Sequence, residues 1–527
     1  MKRIGILLLV LVMILACVPV VMAENVSVYA STFVAGTDGW YARGAKRTYR
    51  TTEGTLRTEG RTSDWHSPGR DFPLYDGVEY KLSVEVYQDT LDSANFMISI
   101  AHTKDGAETY ENLAFGAAKK GEWATLEGSY TAGDFDRYVL YVETTGAPEL
   151  SFEIKNFKVD APNGVPEGAA KAKEPDMVIE AVALEDLPSL KDAYAGKFDF
   201  GAAVPQFAFS NPLLKNLMIK EFSILTPENE LKPDSVLDVN ASRKLLNETG
   251  DETAVAVHFD AAKALLEFAK ENGIKVHGHV LVWHAQTPEA FFHEGYDTGK
   301  PYVTREVMLG RLENYIKEVL TQTEEKYPGV IVSWDVVNEA IDDGTAWLRS
   351  ASPWTKTIGE DHVAKAFEFA KKYAADGVKL YYNDYNTPLQ PKLNGIIKLL
   401  EQLVAEGNID GYGFQMHYSN GQNAATEPSP DKILNALEKI SGLGLKLRVS
   451  ELDIGAGKMT ETALMKQKEA YQTIMKLMLK FAEQTEAVQV WGLKDDMSWR
   501  TGQYALLFDK NISPKPAFYG VLEAVQE

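Results

Sequence analysis

Cysteine is almost absent from this chain of 527 residues, in which Cys17 is the single example. Cys17 lies in an apolar N-terminal segment, so removal of that segment would exclude disulfides, a cysteine nucleophile and a thiolate metal site. Positive charge is also scarce, because 54 lysine and arginine residues stand against 75 aspartate and glutamate residues. The net charge of −21 repels nucleic acid and anionic lipid, and we expect neither as a partner. A neutral polymer is compatible with such a surface.

The N-terminus has the features of a signal peptide. Lys2 and Arg3 precede a long apolar run, and a small-residue cleavage site ends at Ala23. We therefore predict that residues 1–23 are removed, that the mature protein is secreted and that it does not contact a membrane after cleavage. Two alternatives stay open: a transmembrane anchor, for which the run is long enough, and a lipoprotein attached through Cys17, whose preceding residues loosely resemble a lipobox.

The remaining chain divides into three regions by composition. Residues 24–160 contain short runs in which apolar and polar residues alternate, for example 81–87 and 138–143, and glycines separate these runs. Such a pattern predicts an all-β, jelly-roll-like sandwich. Residues 161–184 are rich in proline, glycine, alanine and charge without periodicity, which predicts a linker. Residues 185–527 form the largest region.

In that largest region, strand patterns alternate with amphipathic helix patterns. The predicted strands cover 198–204, 222–226, 275–282, 330–337, 379–382, 411–415, 445–450 and 487–493. Eight strand–helix units in about 340 residues are typical of an α/β fold, the (β/α)8 TIM barrel. An open, doubly wound sheet is the alternative, but no glycine-rich phosphate turn follows the first strand, which disfavours it.

Two glutamates, Glu339 and Glu451, each end an apolar run rich in β-branched residues. A carboxylate at the end of a buried strand is costly unless it has a function. Paired carboxylates carry out glycoside hydrolysis: one protonates the glycosidic oxygen and the other attacks the anomeric carbon or activates water. The two groups lie about 5–5.5 Å apart in retaining enzymes and about 6.5–9.5 Å apart in inverting ones. We expect the retaining separation.

Polar and aromatic residues follow most of the other predicted strands, where a barrel would bring them to one face. They are Glu228, Asn229, Lys232, His279, Trp283, Gln286, Asn338, Asn383, Asp384, Tyr385, Gln415, His417, Asp453, Trp491, Asp495 and Trp499. The candidates are dispersed one strand at a time, without a His-x-x-x-His helix pair, which disfavours a metal site. The chain has no Gly-x-Ser-x-Gly elbow for a serine nucleophile. We predict neither a metal nor a cofactor.

Residues from about 190 to 527 resemble glycoside hydrolase family 10, the endo-1,4-β-xylanases. The resemblance rests on TPENELKP (226–233), GHVLVWHAQ (278–286), WDVVNEA (334–340), YNDYN (382–386), GFQMH (413–417), SELDI (450–454) and WGLKDDMSWR (491–500). It implies a retaining double displacement at β-1,4-xylosidic bonds, with Glu339 as acid/base, Glu451 as nucleophile, and His417 and Asp453 supporting the nucleophile. It further implies substrate-binding roles for Glu228, Asn229, Lys232, His279, Trp283, Gln286, Asn338, Gln415, Trp491 and Trp499.

The N-terminal region resembles a family 22 carbohydrate-binding module. The similar stretches are GWYARG (39–44), GRTSDWHSP (60–68), GEW (121–123) and LYVE (140–143). The resemblance implies a xylan-binding groove formed by Arg43, Trp65, Tyr110, Tyr141 and Glu143. The alternative is that these aromatic residues belong to the sandwich core, or that the module has lost binding.

Together these observations predict a secreted, monomeric xylanase whose partners are xylan and xylo-oligosaccharides. One alternative is a retaining β-1,4-glucanase or cellulase on a related barrel. It is distinguished by whether the pocket formed by four residues excludes a hydroxymethyl group; they are Glu228, Lys232, Gln286 and Trp499. Another is a polysaccharide-binding protein with an inactive barrel, which the presence of both glutamates disfavours.

Overall fold

The computed structural model describes residues 26–31, 33, 36–165, 176–419 and 428–526. The predicted signal peptide with Cys17 and residues 166–175 of the predicted linker lie outside these ranges. The chain divides into two compact units, Met1–Pro175 and Asp176–Glu527. The division falls within the predicted linker, although Met177 is joined to the second unit, since its N–H donates to the carbonyl of Met459 at 2.7 Å.

The first unit consists of two antiparallel sheets. Its strands are β1 (Val26–Ala30), β2 (Tyr41–Arg43), β3 (Arg47–Arg50), β4 (Leu56–Glu59), β5 (Ser67–Asp71), β6 (Glu79–Tyr87), β7 (Ser93–Lys104), β8 (Ala107–Lys119), β9 (Ala124–Thr131), β10 (Arg137–Thr145) and β11 (Phe152–Ala161). One sheet has the order β3-β4-β11-β6-β9, with β1 on β11, and the other has the order β2-β5-β10-β7-β8. In β6, Tyr80, Leu82, Val84 and Val86 are buried in the core between the sheets, as the period of two predicts.

The second unit is a closed barrel of parallel strands. They are β12 (Asp199–Val204), β13 (Ile224–Pro227), β14 (Lys275–Gly278), β15 (Val282–Trp283), β16 (Ile331–Asn338), β17 (Lys379–Asp384), β18 (Gly411–Phe414), β19 (His417–Ser419), β20 (Lys446–Gly455) and β21 (Thr485–Val490). The order β14-β13-β12-β21-β20-β18-β17-β16 closes because β14 also pairs with β16. The predicted sandwich followed by a (β/α)8 barrel is confirmed. The third strand is not continuous over 275–282, because its ladder stops at Gly278 and resumes at Val282.

Helices surround the barrel. They are α1 (Leu190–Ala193), α2 (Pro212–Glu221), α3 (Pro233–Val236), α4 (Val239–Thr249), α5 (Lys263–Asn272), α6 (Arg305–Lys326), α7 (Pro353–Thr357), α8 (His362–Tyr373), α9 (Lys392–Glu406), α10 (Pro430–Ser441), α11 (Glu461–Lys480) and α12 (Pro516–Gln526). In α10 the residues that face the barrel, Ile433, Ala436, Leu437 and Ile440, have the spacing of one helical face. Within the described ranges, none of the helices combines the length and apolar character needed to cross a membrane.

The barrel interior contains a buried polar layer below the open face. Arg448 donates to Gln489 Oε1 at 2.5 Å and to Ser333 Oγ at 3.0 Å. Asp335 Oδ2 lies 2.8 Å from Nδ1 of His279 and 3.0 Å from Nε2 of His277. A buried polar group that lacks its partner costs the folded protein free energy, so the side chains of this layer have fixed orientations. The layer therefore holds His279 at the floor of the cleft.

Candidate active site

A cleft of about 510 Å³ opens at the carboxyl ends of the barrel strands. It is lined by Glu228, Asn229, Lys232, His279, Trp283, Gln286, Asn338, Glu339, Tyr385, Asn386, Gln415, His417, Glu451, Trp491 and Trp499. The structure thus brings most of the predicted barrel residues together in one cleft. The exceptions are Asn383, Asp384, Asp453 and Asp495, which are buried and do not line it; Asp453 lies behind His417. Within the described ranges, no three His, Cys, Asp or Glu side chains are arranged to hold a metal ion.

Glu451 lies within β20 and is almost fully buried, at 5% exposure. Its Oε1 accepts from Asn383 Nδ2 at 2.7 Å, and its Oε2 lies 3.1 Å from His417 Nε2. The other ring nitrogen of His417 lies 2.9 Å from Asp453 Oδ2. Burial acts to lower the pKa of His417, but the Asp453 and Glu451 carboxylates outweigh it and raise that pKa to about 10. At neutral pH a histidine cation therefore lies between the two carboxylates, with one ring nitrogen within hydrogen-bond distance of each.

Asp453 is held by two further donors. Trp499 Nε1 donates to its Oδ2 at 2.8 Å, and Arg500 Nη1 donates to its Oδ1 at 2.8 Å. Trp499 is 57% exposed although its indole N–H is bonded. The same side chain thus orients the carboxylate that supports His417 and presents a broad apolar face at the edge of the cleft.

Glu339 follows β16 and has a different environment from Glu451. Its backbone is in the left-handed region, with φ of 56°, and its side chain is half-buried. Oε1 accepts from Gln415 Nε2 at 2.9 Å and from Asn338 Nδ2 at 3.3 Å, while Oε2 accepts from Trp283 Nε1 at 3.0 Å. Three donors from three strand ends thus fix the carboxyl.

A bridge of amides connects the two glutamates. Asn338 Oδ1 accepts from Gln415 Nε2 and from Asn383 Nδ2, both at 3.1 Å. Gln415 also contacts Glu339, and Asn383 also contacts Glu451. The two carboxylates therefore belong to one hydrogen-bonded network, while their predicted retaining separation stays a prediction. Asn383 was expected at a strand end, but the sequence indicated no role for it.

One end of the cleft is built around a buried amine, that of Lys232. Lys232 Nζ donates to Asn229 Oδ1 and to Gln286 Oε1, both at 3.0 Å, and lies 4.9 Å from the Trp283 ring centroid. Burial lowers the pKa of Lys232, against the attraction of Glu451 and Glu228. Burial likewise raises the pKa of Glu228. This end presents paired donors and acceptors suited to sugar hydroxyls.

Tyr385 and Asn386 also line the cleft. Both follow β17, and the sequence predicted Tyr385 at a strand end without assigning it a substrate-binding role. The Tyr385 ring centroid lies 3.5 Å from Lys392 Nζ. Lys392 is itself buried at the start of α9 and pairs with Asp384 at 2.8 Å. The sequence indicated Tyr385 only by its position at a strand end. Its contact with Lys392 at the start of α9 could not be predicted from residue spacing.

The first unit has a second candidate site on the sheet that contains β10. The Arg43 guanidinium lies 4.1 Å from the Tyr141 ring centroid, 5.4 Å from Trp65 and 5.7 Å from Tyr110. Trp65 and Tyr110 are exposed by 50% and 59%, so these two are not core residues. Glu143 is largely buried and accepts from Ser99 Oγ at 2.6 Å. An exposed, ordered aromatic surface of this kind suits stacking on pyranose rings.

Two family models match the chain. Residues 189–524 match the model described as Glycosyl hydrolase family 10. Residues 25–149 match the model described as Carbohydrate binding domain. The first match covers more than half of the chain, and the two matches correspond to the barrel and the sandwich.

Two curated proteins and one crystal structure resemble the chain over both units. Endo-1,4-beta-xylanase A of Thermotoga neapolitana is 32% identical over 94% of this chain and 46% of its own length. Exoglucanase XynX of Acetivibrio thermocellus is 31% identical over 93% of this chain and 44% of its own length. The crystal structure of the CBM22-1–GH10 modules of a Clostridium thermocellum endo-1,4-beta-D-xylanase, complexed with xylohexaose, has a TM-score of 0.59 and 28% identity, covering 95% of this chain and 97% of that one. The chain spans about half the length of the curated relatives it matches.

Proposed function

This chain belongs to glycosyl hydrolase family 10, and from that membership we propose that it hydrolyses β-1,4-xylosidic bonds within xylan. The observation that carries the proposal is the hydrogen-bonded network joining Glu339 to Glu451 in one cleft. Two carboxylates with different surroundings are what glycoside hydrolysis requires, because one must protonate and the other must attack.

We assign the nucleophile to Glu451. It receives hydrogen bonds from Asn383 and from the His417 cation, which hold its carboxylate in a fixed orientation in the cleft. It attacks the anomeric carbon while the glycosidic bond breaks, which forms a covalent glycosyl–enzyme ester. Glu339 gives its proton to the departing oxygen and then takes a proton from the water that cleaves the ester. Two inversions at one carbon give net retention of configuration.

The residues around Lys232, together with Trp491 and Trp499, provide the proposed sugar subsites. Glu228, Lys232 and Gln286 bind hydroxyl groups on the non-reducing side of the cleaved bond, and Trp491 and Trp499 offer apolar ring faces. The indole of Trp499 restricts the room available to a hydroxymethyl group, which distinguishes a xylose unit from a glucose unit. The β-1,4-glucanase alternative requires that this restriction be absent.

The sandwich and the N-terminus complete the proposal. The surface formed by Arg43, Trp65, Tyr110, Tyr141 and Glu143 binds xylan and retains the enzyme on the polymer. Residues 1–23 direct secretion and are removed, so the protein acts outside the cell as a monomer.

The test compares initial rates on xylan, carboxymethyl-cellulose and mixed-linkage glucan. We expect xylan to be preferred, with products that keep the β-configuration in early proton NMR spectra. Glu451→Ala should abolish activity, while Glu401→Ala, which alters an exposed carboxylate on α9, should leave it unchanged. Equal rates on cellulose, inverted products, or full activity in Glu451→Ala would refute the assignment.

A further inference from the structure

The backbone at Glu339 adopts a conformation that a glutamate avoids. A non-glycine residue in the left-handed region costs about 1–3 kcal/mol, and it persists only where its surroundings enforce it. Two hydrogen bonds from other parts of the chain do so here. The Glu339 N–H donates to the carbonyl of Asn383 at 2.9 Å, and the Glu339 carbonyl accepts from Arg349 Nε at 2.7 Å. The second bond comes from a side chain and can be changed by mutation.

Arg349 uses three nitrogens of its guanidinium on three different groups. Nε donates to the Glu339 carbonyl at 2.7 Å, and Nη2 donates to the Tyr385 hydroxyl at 2.8 Å. Nη1 lies 3.5 Å from Asp342 Oδ2, and the Arg349 side chain is only 17% exposed. Its own backbone is anchored as well, because its N–H donates to the carbonyl of Ala340 at 2.9 Å. Arg349 therefore ties the residue after β16 to the residue after β17.

The arrangement depends on the planar fork of arginine. Nε and Nη2 lie on one edge of the guanidinium, so a single rigid group spans the Glu339 carbonyl and the Tyr385 hydroxyl. A lysine has one compact ammonium group on a flexible stem and cannot hold both acceptors in a fixed relation. Glu339 and Tyr385 both line the cleft, so their relative position sets where a sugar on that side meets the carboxyl.

We propose that Arg349 is a positioning residue for proton transfer, which fixes Glu339 against the oxygen of the leaving sugar and orients Tyr385 beside it. The inference rests on the proposed function, in which Glu339 is the acid/base. Arg349 contacts the acid/base through its backbone carbonyl, so it acts on the direction of the carboxyl. Misplacement of a catalytic group by a fraction of its working distance costs about 10- to 100-fold in rate.

The consequence differs between substrates according to their leaving groups. A sugar leaves as a strongly basic alkoxide unless it receives a proton, so xylan depends on Glu339 in the first step. A dinitrophenolate leaves without a proton, so kcat/KM for dinitrophenyl β-xylobioside depends on Glu451 alone. The second step still needs a base to activate water, unless an anionic nucleophile such as azide replaces the water.

The test measures Arg349→Lys and Arg349→Met on both substrates. We expect kcat/KM on xylan to fall about 10- to 100-fold, while kcat/KM on dinitrophenyl β-xylobioside stays within about twofold of wild type. Azide should raise kcat of the variants on the aryl substrate and yield β-xylobiosyl azide. The unchanged aryl kcat/KM also reports a folded barrel with an intact nucleophile.

Two further variants separate the contributions. Tyr385→Phe removes one of the two groups that Arg349 binds and leaves the bond to Glu339, so its loss on xylan should be smaller than that of Arg349→Lys. Arg305→Lys changes an arginine that pairs with Asp361 outside the cleft and should leave both substrates unaffected.

Several outcomes would overturn the inference. These are wild-type xylan activity in both Arg349 variants, equal losses on the two substrates, or a loss in Tyr385→Phe as large as that in Arg349→Lys. A wild-type protein that is inactive on xylan would instead contradict the proposed function, so the two failures are distinguishable.

Discussion

The His417 cation between Glu451 and Asp453 should stabilise the folded protein, and the size of this contribution to the free energy of unfolding follows from the histidine pKa. The folded value of about 10 stands against an ordinary histidine value of about 6.5 in the unfolded chain. Because the folded pKa is raised, the stabilisation is fully present below pH about 6.5 and is lost as the pH rises towards 10. It amounts to about 4 kcal/mol at pH 7 and falls by about 1.4 kcal/mol per pH unit.

The perturbation is His417→Asn, which removes the titrating ring and keeps a polar side chain. Unfolding of wild type and variant in urea is followed by tryptophan fluorescence at pH 7, 8 and 9. The stability gap between the two proteins should shrink by about 2–3 kcal/mol from pH 7 to pH 9. Titrating groups that do not contact His417 cancel in the difference, because their surroundings are the same in both proteins.

A second buried histidine supplies the control. Burial lowers the pKa of His362 to about 4, so from pH 7 to pH 9 this ring is neutral in the folded protein and mostly neutral in the unfolded chain. The gap between wild type and His362→Asn should therefore stay constant over that range. A constant gap for His417→Asn would refute the assignment of a cation between the two carboxylates.

Three other substitutions test the remaining parts of the structure. Trp65→Ala should weaken retention on insoluble xylan about tenfold in affinity electrophoresis, without changing the rate on soluble xylan, whereas Leu91→Ala, at an exposed apolar residue outside the Arg43 surface, should have no effect. Gly278→Ala should lower the free energy of unfolding by about 1–3 kcal/mol, because a Cβ there would lie 2.3 Å from the Trp334 ring; a thermal midpoint equal to that of wild type would contradict this packing. Asp238→Ala should cost about 1 kcal/mol in urea unfolding, since Asp238 caps α4 through the Ala241 N–H at 2.8 Å, and Ser429→Ala, at a cap position without a side-chain cap bond, should cost less.

The barrel was predictable because its signals are local and repeated. Each strand has an apolar run, and most of these runs end in polar residues that the closed sheet brings to one face. β20 is longer than the predicted 445–450, since it continues to Gly455 and pairs beyond Glu451 with β19 and β21. In that extension Glu451 and Asp453 alternate with the apolar Leu452 and Ile454. Such alternation is the pattern of a strand with one polar and one apolar face.

Other parts of the structure depend on contacts that sequence spacing does not encode. β8 has a mostly exposed face and no apolar alternation at its start, so the pattern of burial that indicates a strand is weak there. Asn383 was placed at a strand end, but its double contact with Asn338 and Glu451 requires the register between β16 and β17. Arg349 lies in an irregular loop, and its importance comes from Glu339 and Tyr385, which the closed barrel brings within its reach.

The left-handed backbone at Glu339 has a consequence for engineering this protein. Glycine fits a φ of 56° without the steric cost that a glutamate bears, so Glu339→Gly would relieve the backbone strain at this position. The same variant would discard the residue proposed to move the proton and leave Trp283, Asn338 and Gln415 without their acceptor. Libraries aimed at a more durable enzyme should therefore hold position 339 fixed and place their diversity on the outer helices, where thermostability and turnover are not in conflict.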